Sequence, residues 1–192
     1  MNYPRRQQYR RLLRAGGAAI ASTGAMLLAL GVASAGATSL AIVLLVVAAG
    51  FGFSARGWLG LATRSRIGAR SEDEVRRQLA AFEHEGWRVR HSLPWRGGGD
   101  IDSVAIAPSG LAFAIETKSK TYDERHLGIV WEQAAWLRRR RRRWCRLGAM
   151  PVLCVVRAAG FQRWECGVLV VSLEALSPTL RHTAAEALHT CA

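Results

Sequence analysis

Lysine is almost missing from this chain of 192 residues. Of its 27 basic residues only Lys118 and Lys120 are lysines, and the rest are arginines. Acid is scarce as well, with 14 Asp and Glu, so the formal net charge is +13. A balance this basic implies an anionic partner, either nucleic acid or a membrane surface, and charge alone does not choose between them. The four cysteines, Cys145, Cys154, Cys166 and Cys191, form no CxxC pair, and no histidine pair has zinc-finger spacing. That argues against a zinc module and for reduced, mostly buried thiols. No internal repeat is present, so the chain is not a solenoid.

Charge is absent altogether from Ala15 to Ser54. Such a run is about twice the ~20 residues that a helix needs to cross the hydrocarbon core. Arg5, Arg6, Arg10, Arg11 and Arg14 precede it, and Arg56, Arg64, Arg66 and Arg70 follow it. Arginine on both flanks predicts a transmembrane hairpin with both ends in the cytoplasm. The expected helices cover about 16–33 and 37–54, with the turn near Ser34-Ala35-Gly36. An alternative reading is a signal peptide, with Ala33-Ser34-Ala35 resembling a cleavage site. The second apolar segment would then still anchor the chain. The expected localisation is the inner cell membrane, multi-pass, with the remaining chain cytoplasmic. The expected division is a basic N-terminus 1–14, a hairpin 15–54, a basic juxtamembrane linker 55–67, a soluble domain 68–181 and a tail 182–192.

In the soluble part, Ser71-Glu72-Asp73-Glu74 has the spacing of a capping box, with Ser71 as N-cap. Val75, Leu79 and Phe82 follow at helical spacing, and Gly86 ends the helix. Alternation predicts a strand over 87–93, a loop over 94–99, and strands over 100–107 and 111–118 joined by Pro108-Ser109-Gly110. A helix is expected over 126–145, strands over 152–157 and 168–172, and a final helix from about Leu173. The pattern is α/β with a mixed sheet flanked by helices.

The hairpin makes a geometric prediction. With its loop centred on Ser109, Asp102 faces Glu116 and Asp100 faces Lys118, all on one side of the sheet. The opposite face carries Leu111, Phe113 and Ile115 as core. Ala112 and Ala114 share the acidic face and are consistent with a cleft. Paired carboxylates invite a hard divalent cation, and a lysine beside them can orient a water or neutralise a phosphate. The plainer reading is a solvated face with an Asp100–Lys118 cross-strand ion pair.

Asp102, then thirteen residues, then Glu116-Thr117-Lys118 resembles the Asp…(Glu)-x-Lys motif of the restriction-endonuclease-like superfamily. More specifically, Ser71-Glu72-x-x-Val75, Asp100-Ile101-Asp102-x-Val104, Pro108-x-Gly110 and Ile115-Glu116-Thr117-Lys118 resemble the nuclease-related domain, NERD, over about residues 68–178. The resemblance implies a restriction-endonuclease-like mixed sheet preceded by the two transmembrane helices. It implies metal ligation by Asp102, Glu116, the carbonyl of Thr117 and Glu72, with Mg²⁺ or Mn²⁺ as the ion. Lys118 would position the attacking water, and Gln133 matches a glutamine common in related nucleases. Glu72 reads equally as an acid placed near a helix N-terminus, and Gln133 as an ordinary helix residue. The implied activity is phosphodiester hydrolysis of nucleic acid, with DNA favoured over RNA and the choice between them left open by the sequence. The alternative is a catalytically inactive, membrane-tethered binder or scaffold with a nuclease-like fold.

Arg138, Arg139, Arg140, Arg141, Arg142 and Arg143 are consecutive, and Arg146 follows Trp144. Six helical residues span more than one and a half turns, so they cannot all face one partner. Contact with a nucleic-acid backbone, contact with anionic lipid and a merely solvated face remain three readings of this run.

Overall fold

The computed structural model describes residues 3–96 and 99–190. Cys191 and the loop residues Gly97 and Gly98 fall outside them. The chain divides into two compact units, Met1–Ile67 and Gly68–Ala192.

The first unit is helical. Helix α1 spans Tyr3–Ser34 and helix α2 starts at Thr38. Between them Gly36 turns with φ 86°, where a side chain would be strained. The two helices share a seam of alanine at seven-residue intervals. Ala41, Ala48, Ala55 and Ala62 are buried along α2, as are Ala15 and Ala29 on α1. A seven-residue period is the signature of supercoiled helices, and small side chains let the backbones approach closely. Midway between Ala15 and Ala29, the Ser22 hydroxyl donates to the Ala48 carbonyl at 2.7 Å. Arg11 donates to Ser65 Oγ and to the Leu61 carbonyl, and Arg14 lies over the Trp58 ring. Between Ala15 and Ser54 the surface outside the seam is uncharged and largely apolar, with Ile20, Val46 and Phe53 well exposed. Both helices are long and apolar enough to cross a membrane.

Helix α2 runs on to Ala80, so the expected linker 55–67 is helical and the expected capping box does not form. No proline interrupts this stretch, and the cost of Gly57, Gly60 and Gly68 is about 1 kcal/mol each in a helix interior. Ser71 is therefore an interior helical residue. Its hydroxyl donates to Ser119 Oγ at 3.1 Å instead of capping.

The second unit is a mixed six-stranded sheet between helices. After a 3₁₀ turn, Ala81–Glu85, closed by left-handed Gly86, come β1 (Arg88–Pro94), β2 (Asp100–Ile106) and β3 (Leu111–Lys118). Helix α3 (Glu124–Arg140), β4 (Gly148–Val155), β5 (Gln162–Glu165), β6 (Val168–Ser172) and α4 (Leu173–Thr190) complete it. The strand order is β1-β2-β3-β4-β6-β5. Strands β3, β4 and β6 are parallel, and the other pairs are antiparallel.

The edge strand β5 is an addition to the sequence reading. Helix α3 starts at the Asp123–His126 capping box and ends at Arg140, short of the expected residue 145, so the arginine run straddles its end. Strand β4 starts earlier than expected, at Gly148, and α4 reaches Thr190.

The β2–β3 hairpin follows its turn chemistry. Gly110 N–H donates to Ala107 at 2.9 Å and Gly110 has φ 91°. The register Ser103↔Ile115 to Ile106↔Ala112 is the predicted one. One sheet face packs Phe113, Ile115, Val152 and Leu169 against the Val75, Leu79 and Phe82 side of α2 and against Leu176 and Leu180 of α4. The other face lies under α3. There Ala112 and Ala114 are fully buried against Ala134 and Leu137, so they floor a packed core and not a cleft. Alanine suits that position because it lets the helix sit close to the sheet.

Candidate active site

The ladder between β2 and β3 stops at Ser103 and Ile115. One residue further along each strand stand Asp102 and Glu116. The Asp102 carboxylate accepts the Thr117 backbone N–H at 2.8 Å. It thereby takes a donor that a continued ladder would give to a β2 carbonyl, and this lets the strands part around the acids.

The other neighbour of β2 breaks at the same level. His91↔Ser103 and Leu93↔Ile101 flank Ser92, which sits opposite Asp102 with φ 51°. A non-glycine residue in that region is strained, and such strain gathers at functional sites. Ile101 and Val104, which regular alternation would send to opposite faces, bury in one cluster. The irregularity of β2 is therefore centred on Asp102.

Glu116 is held from two directions. Lys118 Nζ donates to Oε1 at 2.8 Å and Gln133 Nε2 donates to Oε2 at 3.3 Å. Gln133 is nearly fully buried, so it is not an ordinary exposed helix residue. Its Oε1 has no partner among the described residues. The expected alternative for Lys118, a cross-strand pair with Asp100, is replaced by the Lys118–Glu116 pair. The unperturbed β2–β3 ladder it required ends before reaching either residue.

Glu72 comes from α2. Arg76, one turn on, reaches its Oε2 at 3.4 Å and also donates to Ser92 Oγ at 3.0 Å. Because α2 continues through this region, Glu72 is no first-turn acid, and the helix N-terminus does not account for it.

The electrostatics bind these groups into one cluster. Burial pushes the Asp102 carboxyl well above its usual value, and the nearby Glu116 and Glu72 push it further. The Thr117 N–H and Lys118 oppose the shift without cancelling it. Burial raises Glu72 to about 7, against the pull of Arg76 and with Glu116 and Asp73 adding to the rise. Three carboxyl groups are thus crowded with less cationic charge than they need, and a divalent cation relieves that kind of crowding. Among the described residues no three His, Cys, Asp or Glu side chains already enclose an ion position. Carbonyl, water and phosphate oxygens would have to complete the shell, as is usual for Mg²⁺.

Sequence reasoning missed Arg76 and Ser92. The four-residue spacing of Glu72 and Arg76 was a readable signal for an ion pair on a helix. The left-handed Ser92 left no signal in the sequence. Cys145 and Cys154 are buried free thiols, pushed by desolvation to about 11 and about 12, and Cys166 is exposed and free.

The mixed α/β sheet thus carries the Asp…Glu-x-Lys strand end, with Glu72 of the preceding helix and the buried Gln133 beside it. Residues 67–159 match the model of NERD, the nuclease-related domain. No curated protein and no solved structure matches the chain.

Proposed function

We propose that the domain is a divalent-metal-dependent phosphodiesterase acting on nucleic acid, DNA in preference to RNA. The observation that carries this reading is the convergence of Asp102, Glu116 and Glu72, two of them with raised carboxyl pKa values, beside Lys118. Asp102, Glu116, the Thr117 carbonyl and Glu72 would hold Mg²⁺ or Mn²⁺. A bound ion would polarise the phosphoryl group and lower the pKa of a coordinated water.

The chain's own groups supply the rest. Lys118 orients the attacking water and neutralises charge on the phosphoryl oxygens. Gln133 fixes the Glu116 carboxylate in its rotamer, and Arg76 holds Glu72. We place the domain at the cytoplasmic face of a membrane crossed twice by residues 15–54. The exposed apolar surface of α1 and α2, bounded by arginine on both sides, supports that placement.

A second reading is a non-catalytic, tethered binder of nucleic acid or anionic lipid. One observation favours it: both Glu116 oxygens already have partners within the chain. Cleavage of DNA and RNA by the purified chain with Mg²⁺ or Mn²⁺ separates the two. Lys118→Ala and Asp102→Ala should each lower the rate by about 10²-fold or more, the scale of a lost general acid–base or positioning group, with the fold retained. Metal-independent cleavage, or cleavage unchanged in both variants, contradicts the catalytic assignment.

A further inference from the structure

The arginine run has a definite place relative to the acidic site. Helix α3 brings Gln133 to Glu116. Arg138 lies five residues further on, about 8 Å up the helix axis. The helix ends at Arg140, and Arg141 to Arg143 lie in the turn that leads to β4. Arg146 then settles over the β2–β3 turn, donating to the Pro108 carbonyl at 3.3 Å with its Cβ and Nε against Gly110. Next to it Leu147 N–H donates to the Gly110 carbonyl. Gly110 is six residues before Glu116 on an extended strand, about 20 Å away. Along the backbone the run therefore starts about 8 Å from the level of Gln133 and ends about 20 Å from Glu116.

All seven arginines are exposed. Among the described residues Arg138 to Arg143 make no ion pair, and Arg141 alone lies over an aromatic ring, that of Trp144 at 5.1 Å. No acid occurs between Glu132 and Glu165 in the sequence to offset them. The region beyond Lys118 has the opposite balance. An open cleft of about 420 Å³ there sets Lys120 and Arg163 against Asp123, Glu124 and Glu165.

We infer that arginines of the Arg138–Arg143 run, with Arg146, form a track for the phosphate backbone of nucleic acid, leading away from the Glu116 site toward the β2–β3 turn. The inference rests on the nucleic-acid reading and narrows it. A ligand that uses the whole track must span about 20 Å, or about six base pairs at about 3.4 Å each. The preferred ligand is then a polymer, and mononucleotides and very short duplexes escape the track. Arginine suits the task because its planar fork pairs with phosphate in two places.

The test uses the full chain in uncharged detergent micelles with EDTA present, so that binding is read without cleavage. Fluorescence anisotropy follows hairpin DNAs with stems of about 4, 8 and 12 base pairs. Affinity should climb steeply from the shortest to the middle stem and then level. The triple variant Arg139→Gln, Arg142→Gln, Arg143→Gln changes exposed residues only. It should bind the longer stems about 10-fold or more weaker at low salt, with a salt slope smaller by about 2 to 3. Binding of the shortest stem should fall by less than binding of the longer ones.

Wild-type affinity and slope in the variant overturn the track. So does a variant that keeps its DNA binding and loses only its binding to phosphatidylcholine vesicles containing phosphatidylglycerol, which would assign the arginines to lipid. A chain that shows the length dependence but cleaves nothing with metal leaves the track standing and removes the catalytic reading. A chain that cleaves with no dependence on these arginines does the reverse.

Discussion

Glu72 shows how much of this site depends on single residues. Its carboxyl lies near pH 7 because burial and neighbouring acids disfavour the charge more than Arg76 favours it. A carboxyl raised in the folded state binds protons more tightly there than in the unfolded chain. Its contribution to stability is complete below the unfolded pKa and is lost as pH rises through about 7. The loss is on the order of 3 kcal/mol. Glu72→Gln should therefore have a higher urea midpoint than wild type at pH 8 without metal, and no advantage at pH 4.5. Equal midpoints of the two proteins at both pH values would show that Glu72 is not held in the crowded cluster. Residue-level chemistry was legible where a motif carries it: Asp102, Glu116 and Lys118 announce themselves by spacing. The Arg76–Ser92 contact does not, because it joins a helix to a strand sixteen residues apart.

At the scale of elements, the β2–β3 hairpin sets the site. Its turn fixes the register, the register brings Asp102 alongside Glu116, and the ladder opens at that level. Gly110 is the pivot, with φ 91° and with Arg146 pressed against the space a side chain would occupy. Gly110→Ala should cost about 1–3 kcal/mol in thermal or denaturant unfolding, the cost of forcing a side chain into the left-handed region. An unchanged midpoint would mean that the turn relaxes freely and does not pin the register.

This hairpin was readable because Pro108-Ser109-Gly110 leaves few alternatives. Strand β5 was not, since four residues, Gln162 to Glu165, are too few for alternation to stand out and three of them are exposed. The Ser71 cap was misread for a physical reason. Ser-x-x-Glu signals a helix start only if the preceding residues are not helical, and here α2 runs straight through. The end of α3 was overextended because a run of arginines, good helix formers, carries no stop signal.

At the scale of the whole molecule, an apolar helical pair and a basic nuclease-related domain share one chain. The alanine seam of the pair was only partly foreshadowed by its small-residue composition, since its period of seven becomes visible once burial is known. The acidic cluster is the feature on which the functional account turns, because it is costly to the domain without a cation. The most direct measurement is calorimetric titration of Mn²⁺ into the full chain and into its Glu116→Gln variant. The account predicts saturable binding at the acidic site with release of protons, weakened about 10-fold or more in the variant, together with a higher unfolding temperature for the metal-loaded wild type. Absence of saturable binding, or identical binding by both proteins, would contradict it.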